Sequence, residues 1–373
     1  MSKHVWTAVS LLVMASARFA GAEWYDDMKL GGDFRYRFEQ IKEEGKDDRQ
    51  RDRIRARVGV FPRVNTDLDV GIQLTTDESK FPGVADPISG NQTLTDEGSK
   101  KGVYLDLAYM DWHPHYLKGF DAFAGKMKSP FIAVAPDWPF DPDYNPEGLG
   151  AKYHVGDEFQ FLANAGYNWL FERAAANDTK MYGGQVALNF KPSEKFHAMV
   201  GGSVYGFSGI EGNDVLDYSG ANKSYGNSTV NGSISGGVTN KAYAQDYRPV
   251  EGFVEIGFNP GIPVTFYGSY LKNNQADADN KGYIGGVRIG QAKDPGQFEL
   301  SYDYRNIEKD AFLGALVDSD SFGGGTDGKG HKITAKYQLM KNWQAAVAYF
   351  IDEKPIDGSK DYNRLQVDLV AKF

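Results

Sequence analysis

No cysteine occurs in the 373 residues. That excludes disulfides and any Cys-ligated zinc, haem or iron–sulfur centre. Histidine is scarce at six, and those present do not cluster. His113 and His115 share the turn "HPH", while His154, His197 and His331 fall on separate expected strands. No catalytic set, metal site or cofactor is therefore expected, and the chain is not read as an enzyme. Helical periodicity is almost absent, as is any nucleotide-binding motif. Long apolar runs are missing too: mean hydropathy is −0.49. The one continuous apolar stretch, "VWTAVSLLVMASA", follows Lys3 and His4 and precedes "AGA" at Ala20–Ala22. A basic start, a short apolar run and a small-residue site describe a secretory leader, and the run is too short to span a membrane as a helix. Cleavage is expected after Ala22, with Ala17 the competing position. The leader is then 1–22 and the mature chain 23–373. Losing Lys3 and Arg18 takes the net charge from −9 to −11.

What is abundant is glycine, at 44, and aromatic residues, with 22 Tyr and 23 Phe. The mature sequence alternates almost everywhere. "GDFRYRFEQ" sets Phe34, Tyr36 and Phe38 against Asp33, Arg35, Arg37 and Glu39. "VYLDLAY" sets Val103, Leu105, Leu107 and Tyr109 against Tyr104, Asp106 and Ala108. Such runs give about sixteen strands. They are near 29–41, 51–63, 67–76, 102–112, 120–128, 148–155, 158–171, 180–190, 195–207, 247–258, 263–272, 281–290, 296–305, 330–340, 343–351 and 362–373. The connections alternate between tight Pro/Gly/Asn/Asp turns and long polar loops. The fold class expected is all-β: a transmembrane antiparallel barrel with short periplasmic turns and long extracellular loops.

The stretch "RDRIRARVGV" places Arg51, Arg53, Arg55 and Arg57 on every second residue. Four guanidiniums in seven residues often mark a nucleic-acid or phosphate patch, but period two points them all into a barrel lumen, and no nucleic-acid partner is expected. If the preceding loop is centred near residue 46, facing residues sum to about 92, give or take two. That sets arginine against arginine, with Arg35 and Arg37 near Arg55 and Arg57. Two readings fit: a solvated wall, or a basic stripe that biases ion passage. Arg364 on the last strand extends the stripe if the barrel closes. Trp112, Tyr116, Tyr167, Trp169, Tyr267, Tyr270 and Trp343 are expected at the membrane interfaces. Tyr104 and Phe253 are the main inward aromatics.

A leader, sixteen amphipathic strands and the final "RLQVDLVAKF", ending on Phe373, together resemble a Gram-negative outer-membrane porin, general-porin-like in strand number. More narrowly, "FRYRFE", "RDRIRARVGV" and "KSPF…DPDYNPEGL" resemble a porin family of proteobacteria. The resemblance implies a water-filled channel for passive diffusion of small hydrophilic solutes and ions. It also implies a homotrimer among outer-membrane lipid and lipopolysaccharide, with Phe373 as the signal read by the barrel-assembly machinery. The stiff, acidic segment 129–147 carries Asp137, Asp141, Asp143 and Glu147 among prolines. It resembles the third loop that folds into general porins and narrows them, so Arg35, Arg37, Arg53, Arg55, Arg57 and Arg364 would line the pore opposite it. Two alternatives stand beside this: a selective channel for anions such as phosphate, and a barrel scaffold around a periplasmic or redox partner.

Overall fold

The computed structural model describes residues 28–78, 85–173, 177–235, 237–354 and 359–373. The expected leader and both expected cleavage positions lie outside the described residues. Sixteen strands run antiparallel, each paired with the strands before and after it in sequence. They are β1 Lys29–Glu43, β2 Arg49–Phe61, β3 Leu68–Asp77, β4 Gly102–Trp112, β5 Phe120–Lys126, β6 Glu147–Val155, β7 Phe159–Phe171 and β8 Thr179–Ser193. The second half comprises β9 Phe196–Ser208, β10 Pro249–Phe258, β11 Val264–Asn273, β12 Lys281–Gly290, β13 Phe298–Ile307, β14 Gly328–Met340, β15 Trp343–Lys354 and β16 Lys360–Lys372. The last strand pairs with the first, from Asp33 opposite Lys372 to Glu43 opposite Tyr362, so the sheet closes. Beyond the strand end, Phe373 N–H donates to the Gly32 carbonyl at 3.1 Å and Gly32 N–H to the Phe373 carbonyl at 3.0 Å. Closure leaves no free edge, the condition for a sheet to cross a bilayer. A glycine suits the seam, since a Cβ at Gly32 would stand 2.8 Å from the Phe373 ring. The short strands Arg63–Asn65 and Gln92–Thr93 add to the same sheet, and Thr229–Ser235 with Val238–Tyr243 forms a separate hairpin.

Polarity is inverted relative to a water-soluble barrel. Alternate residues such as Leu30, Val58, Val103, Val200 and Phe266 are exposed on the outer wall. Their inward neighbours are largely polar, including Gln73, Gln185, Glu251 and Gln366. An apolar outside facing lipid and a polar inside is what alternation specifies in a membrane barrel.

Two details depart from the sequence reading. On β4, the register against β3 shifts between the pairs Gln73–Leu107 and Leu74–Leu105. One extra residue there, Asp106, exchanges the two faces. Val103 and Leu105 stay exposed, but Leu107 is buried and Met110 and Trp112 take the outer positions. Tyr109 turns inward onto Gly71, where a Cβ would meet its ring at 2.4 Å, and sits by Phe123 at 6.4 Å between centroids. On β11, Tyr267 is 7% exposed, whereas Tyr270 stands outside at 49%. Positions three apart cannot share a face of a strand, so Tyr267 is not a girdle residue. Trp112, Tyr116, Tyr167, Trp169 and Trp343 are exposed.

The barrel is not an empty tube. Trp138 and Phe140 from 127–146 meet Phe312, Leu313 and Leu316 from 308–327 in an apolar cluster. The inner wall contributes Tyr205, Phe207 and Phe253 to the same cluster. Phe140 packs edge-on against both Tyr205, at 5.3 Å between centroids, and Phe312, at 5.1 Å. Ile88 from 78–101 and Ile210, Tyr243 and Tyr247 from the connection after β9 join this cluster, so several connections fold inward and bury apolar side chains as a soluble core does.

Candidate functional site

β2 presents its arginines inward because the strand alternates and its other face is Ile54, Ala56 and Val58. Arg35 lies opposite Arg55, Arg37 opposite Arg53, Glu39 opposite Arg51 and Asp33 opposite Arg57. The pairs sum to 90, within the two-residue span expected from the loop. In the first two of these pairs like charges face each other across the hairpin, which alone destabilises a sheet. Nor does open water solvate the row, as the solvated-wall alternative requires: Arg37, Arg53, Arg55 and Arg364 are each less than 9% exposed. Buried guanidiniums need carboxylates, and most have them. Arg55 donates to Asp33 at 3.0 Å and Arg57 to Asp33 at 2.6 Å. Arg37 donates to Asp368 at 2.7 and 2.8 Å and reaches Asp320 at 3.2 Å. Arg51 and Arg364 both grip the fully buried Glu39, and Arg364 also pairs with Asp320 at 2.7 Å.

Two of these positions differ. Arg35 donates to Asn91 at 2.6 Å, and its Nε has no partner. Arg53 has Glu78 at 3.9 Å as its nearest carboxylate among the described residues.

Segment 127–146 reaches across the lumen to several parts of the wall. Asp143 accepts from Arg55 Nη1 on both oxygens, at 3.0 and 3.1 Å, and from Arg57 at 3.4 Å. Burial opposes its ionisation, but Arg55, Arg35, Arg57 and Lys128 prevail and hold its pKa below the usual range. Asp137 meets the far wall instead, pairing with Arg305 at 2.9 Å and Lys332 at 2.7 Å. Trp138 Nε1 donates to Ser269 Oγ at 3.0 Å, and Ile132 N–H to Gln185 Oε1 at 2.7 Å. Asp141 turns to the other infolded connection, accepting from Ser319 N–H at 2.9 Å. Burial, then Asp143 and Asp318, push Asp141 well above the ordinary carboxylate range. Glu147 stands apart as the exposed first residue of β6, paired with Lys126 at 3.0 Å. Of the four acids singled out in the sequence, the structure brings one, Asp143, to the arginine row.

Sequence reasoning missed the second infolded connection, 308–327, which supplies Asp318 and Asp320. It also missed Arg305, fully enclosed by Asp137, Asp303 and Asp318. A signal was available: "AFLGALV", Ala311 to Val317, is too apolar for an exposed loop.

A cavity of about 910 Å³ remains inside the barrel, lined by nine basic and nine acidic side chains. A second, of about 430 Å³, is lined by Tyr104, Asp106 and Glu147 among others. Arg55, Arg57 and Asp143 line both. The ion cluster stands between the two spaces.

Residues 40–245 and 237–373 match the family described as "Putative porin". No curated protein is significantly similar to the chain. Among solved structures it is similar to OprB of Pseudomonas putida, with a TM-score of 0.59 at 10% identity over 94% of this chain and 96% of that one. It is also similar to OmpF of Salmonella typhi, solved in complex with daunomycin, with a TM-score of 0.54 at 13% identity over 94% and 99% of the two chains. A loop L8 deletion mutant of OmpT from Vibrio cholerae gives 0.51 at 14% identity over 93% and 100%. At such identities the likeness concerns the fold, and that fold is a porin barrel. A closed sixteen-stranded sheet, lipid-facing outside and charged inside, together with a family match across most of its length, makes this chain a member of that porin family, a diffusion channel of the outer membrane.

Proposed function

We propose that the protein passes small hydrophilic solutes and ions passively, and that the narrowest point of the path is the Asp143–Arg55–Arg57 cluster. The observation that carries this is the charged cavity retained beside the infolded connections, meeting a second cavity at those three residues. Segment 127–146 is the constriction element in this reading. The arginine row acts less as a naked basic stripe than its sequence implies, because carboxylates neutralise most of it. Equal numbers of basic and acidic groups around the larger cavity favour weak selectivity between small cations and anions. Infolded side chains fill part of the lumen, so the size limit should be tighter than an empty barrel of this strand number allows.

The long connections face outward from the cell in this reading, and the leader 1–22 is removed on export. Self-association as a homotrimer is supported by a row of small residues on the outer wall. Ala122 faces Ala151, Ala151 faces Ala165, and Ala165 faces Gly184 across four neighbouring strands. Purified protein in planar bilayers should give ohmic conductance steps with a small reversal potential in a salt gradient. Proteoliposomes should admit monosaccharides faster than trisaccharides. Absence of steps, or equal entry of both sugars, would overturn the reading.

A further inference from the structure

We propose that the cations around Asp143 form a binding site for the carboxylate group of a permeating solute, and that Asp143 is the tethered carboxylate which that solute displaces. The proposal rests on the diffusion reading and names a solute class for it.

The site already displays its fit to a planar, two-oxygen anion. Arg55 Nη1 bridges both oxygens of Asp143, and Arg57 approaches one of them. Charge-assisted contacts of this kind are the strong ones. Donor capacity is left over beside them. Arg35 has no ion pair among the described residues, one bond to Asn91 and an unpartnered Nε. Lys128 has no ion pair among the described residues either, and it is exposed to the larger cavity. Both contribute to the positive field on Asp143. The other acids nearby are occupied: Asp106 accepts from Gln73 and Asn145, Asp368 from Arg37, and Asp33 from Arg55 and Arg57. Four cations thus converge on one loop carboxylate, and two of them hold no carboxylate of their own.

Location adds the second half of the argument. Because Arg55, Arg57 and Asp143 line both cavities, a solute moving between them meets this cluster. The Asp143 side chain is 21% exposed, so it is reachable from the path. An arriving carboxylate takes up Arg35 and Lys128 first, then exchanges with Asp143 on Arg55. When the solute leaves, Asp143 returns. A tethered competitor keeps the guanidiniums paired between passages and prevents the anion from binding too tightly to leave, the balance that conduction requires.

The test uses the full mature chain in planar bilayers under a potassium chloride gradient, with acetate, succinate or inorganic phosphate added on one side. Succinate and acetate should reduce the chloride current saturably. Asp143→Asn should move the reversal potential toward anion preference and lower the half-blocking succinate concentration by about tenfold, the scale of one charge-assisted contact. Arg35→Gln with Lys128→Gln breaks no ion pair, only the Arg35–Asn91 hydrogen bond, and should raise that concentration by a similar factor. Heat-modifiability on gels checks folding of each variant. Ohmic conductance with the same half-block in wild type and both variants overturns the site while leaving the diffusion reading standing. Phosphate blocking more strongly than succinate overturns the carboxylate assignment. Loss of all conductance in the wild type overturns the diffusion reading and the site with it.

Discussion

At the scale of single residues, identical arginines on one strand have different duties because their neighbours differ. Arg55 ties Asp33 and Asp143 together, whereas Arg53 meets only Glu78 among the described carboxylates, at 3.9 Å. Removing one partner of a buried pair leaves the other charge uncompensated and costs about 3–5 kcal/mol. Arg55→Gln should therefore destabilise the folded barrel by several times as much as Arg53→Gln. The temperature at which each variant loses its compact gel mobility measures this, and equal shifts would contradict it. The alternation of arginines was legible in the sequence, and so was their inward face. Their partners were not, since Asp368 and Asp320 lie hundreds of positions from Arg37 and only closure of the barrel brings them within 3.2 Å.

At the scale of elements, the infolded connection 127–146 is held at both ends of its span. Asp143 binds the β2 arginines and Asp137 binds Arg305 and Lys332 on β13 and β14. Burial disfavours the Asp137 carboxylate, but Arg305 and Lys332 outweigh it and hold its pKa below the ordinary range. A depressed acid contributes stability that is complete above its unfolded value of about 3.9 and is lost as pH falls through the lower folded value. The stability difference between wild type and Asp137→Asn should thus be constant from about pH 5 upward and shrink only in stronger acid. Thermal unfolding of both proteins across that range checks the sign; a difference that instead grows on acidification would refute it. Prolines and acids in this segment announced an unusual connection. Its partners on the far wall could not be read, because strand spacing says nothing about which side of a lumen a loop crosses to.

At the scale of the whole molecule, assembly depends on an apolar outer wall and a sealed edge. Val58 is on that wall, so Val58→Arg should cost about 2–4 kcal/mol if it lies near the bilayer midplane, and less toward an interface. Outer-membrane yield should fall sharply for this variant and remain near normal for Arg53→Gln, which alters the inner face. Phe373 is 59% exposed while its backbone closes the seam with Gly32. Phe373→Ser keeps that backbone pairing and removes the ring. A marked drop in outer-membrane yield would therefore point to recognition of the ring during assembly, and unchanged yield would remove that role from it.

The sequence by itself determined the strands, their number and which face of most of them meets lipid. Those properties follow from a period of two and from turn residues, both local. It also determined the β1–β2 register to within two residues, because a short loop constrains its own hairpin. What only tertiary structure decided was everything that depends on closure. A single bulge at Asp106 reversed half of β4, since one inserted residue exchanges the faces of every position after it. The connections 127–146 and 308–327, which occupy part of the lumen, found each other through apolar contacts between distant segments. The charge of the arginine row, so plain as text, became a set of ion pairs once a cylinder brought acids from β1, β16 and two loops against it. Charge along a strand is a property of sequence, but the field in a channel is a property of the closed wall and whatever folds inside it.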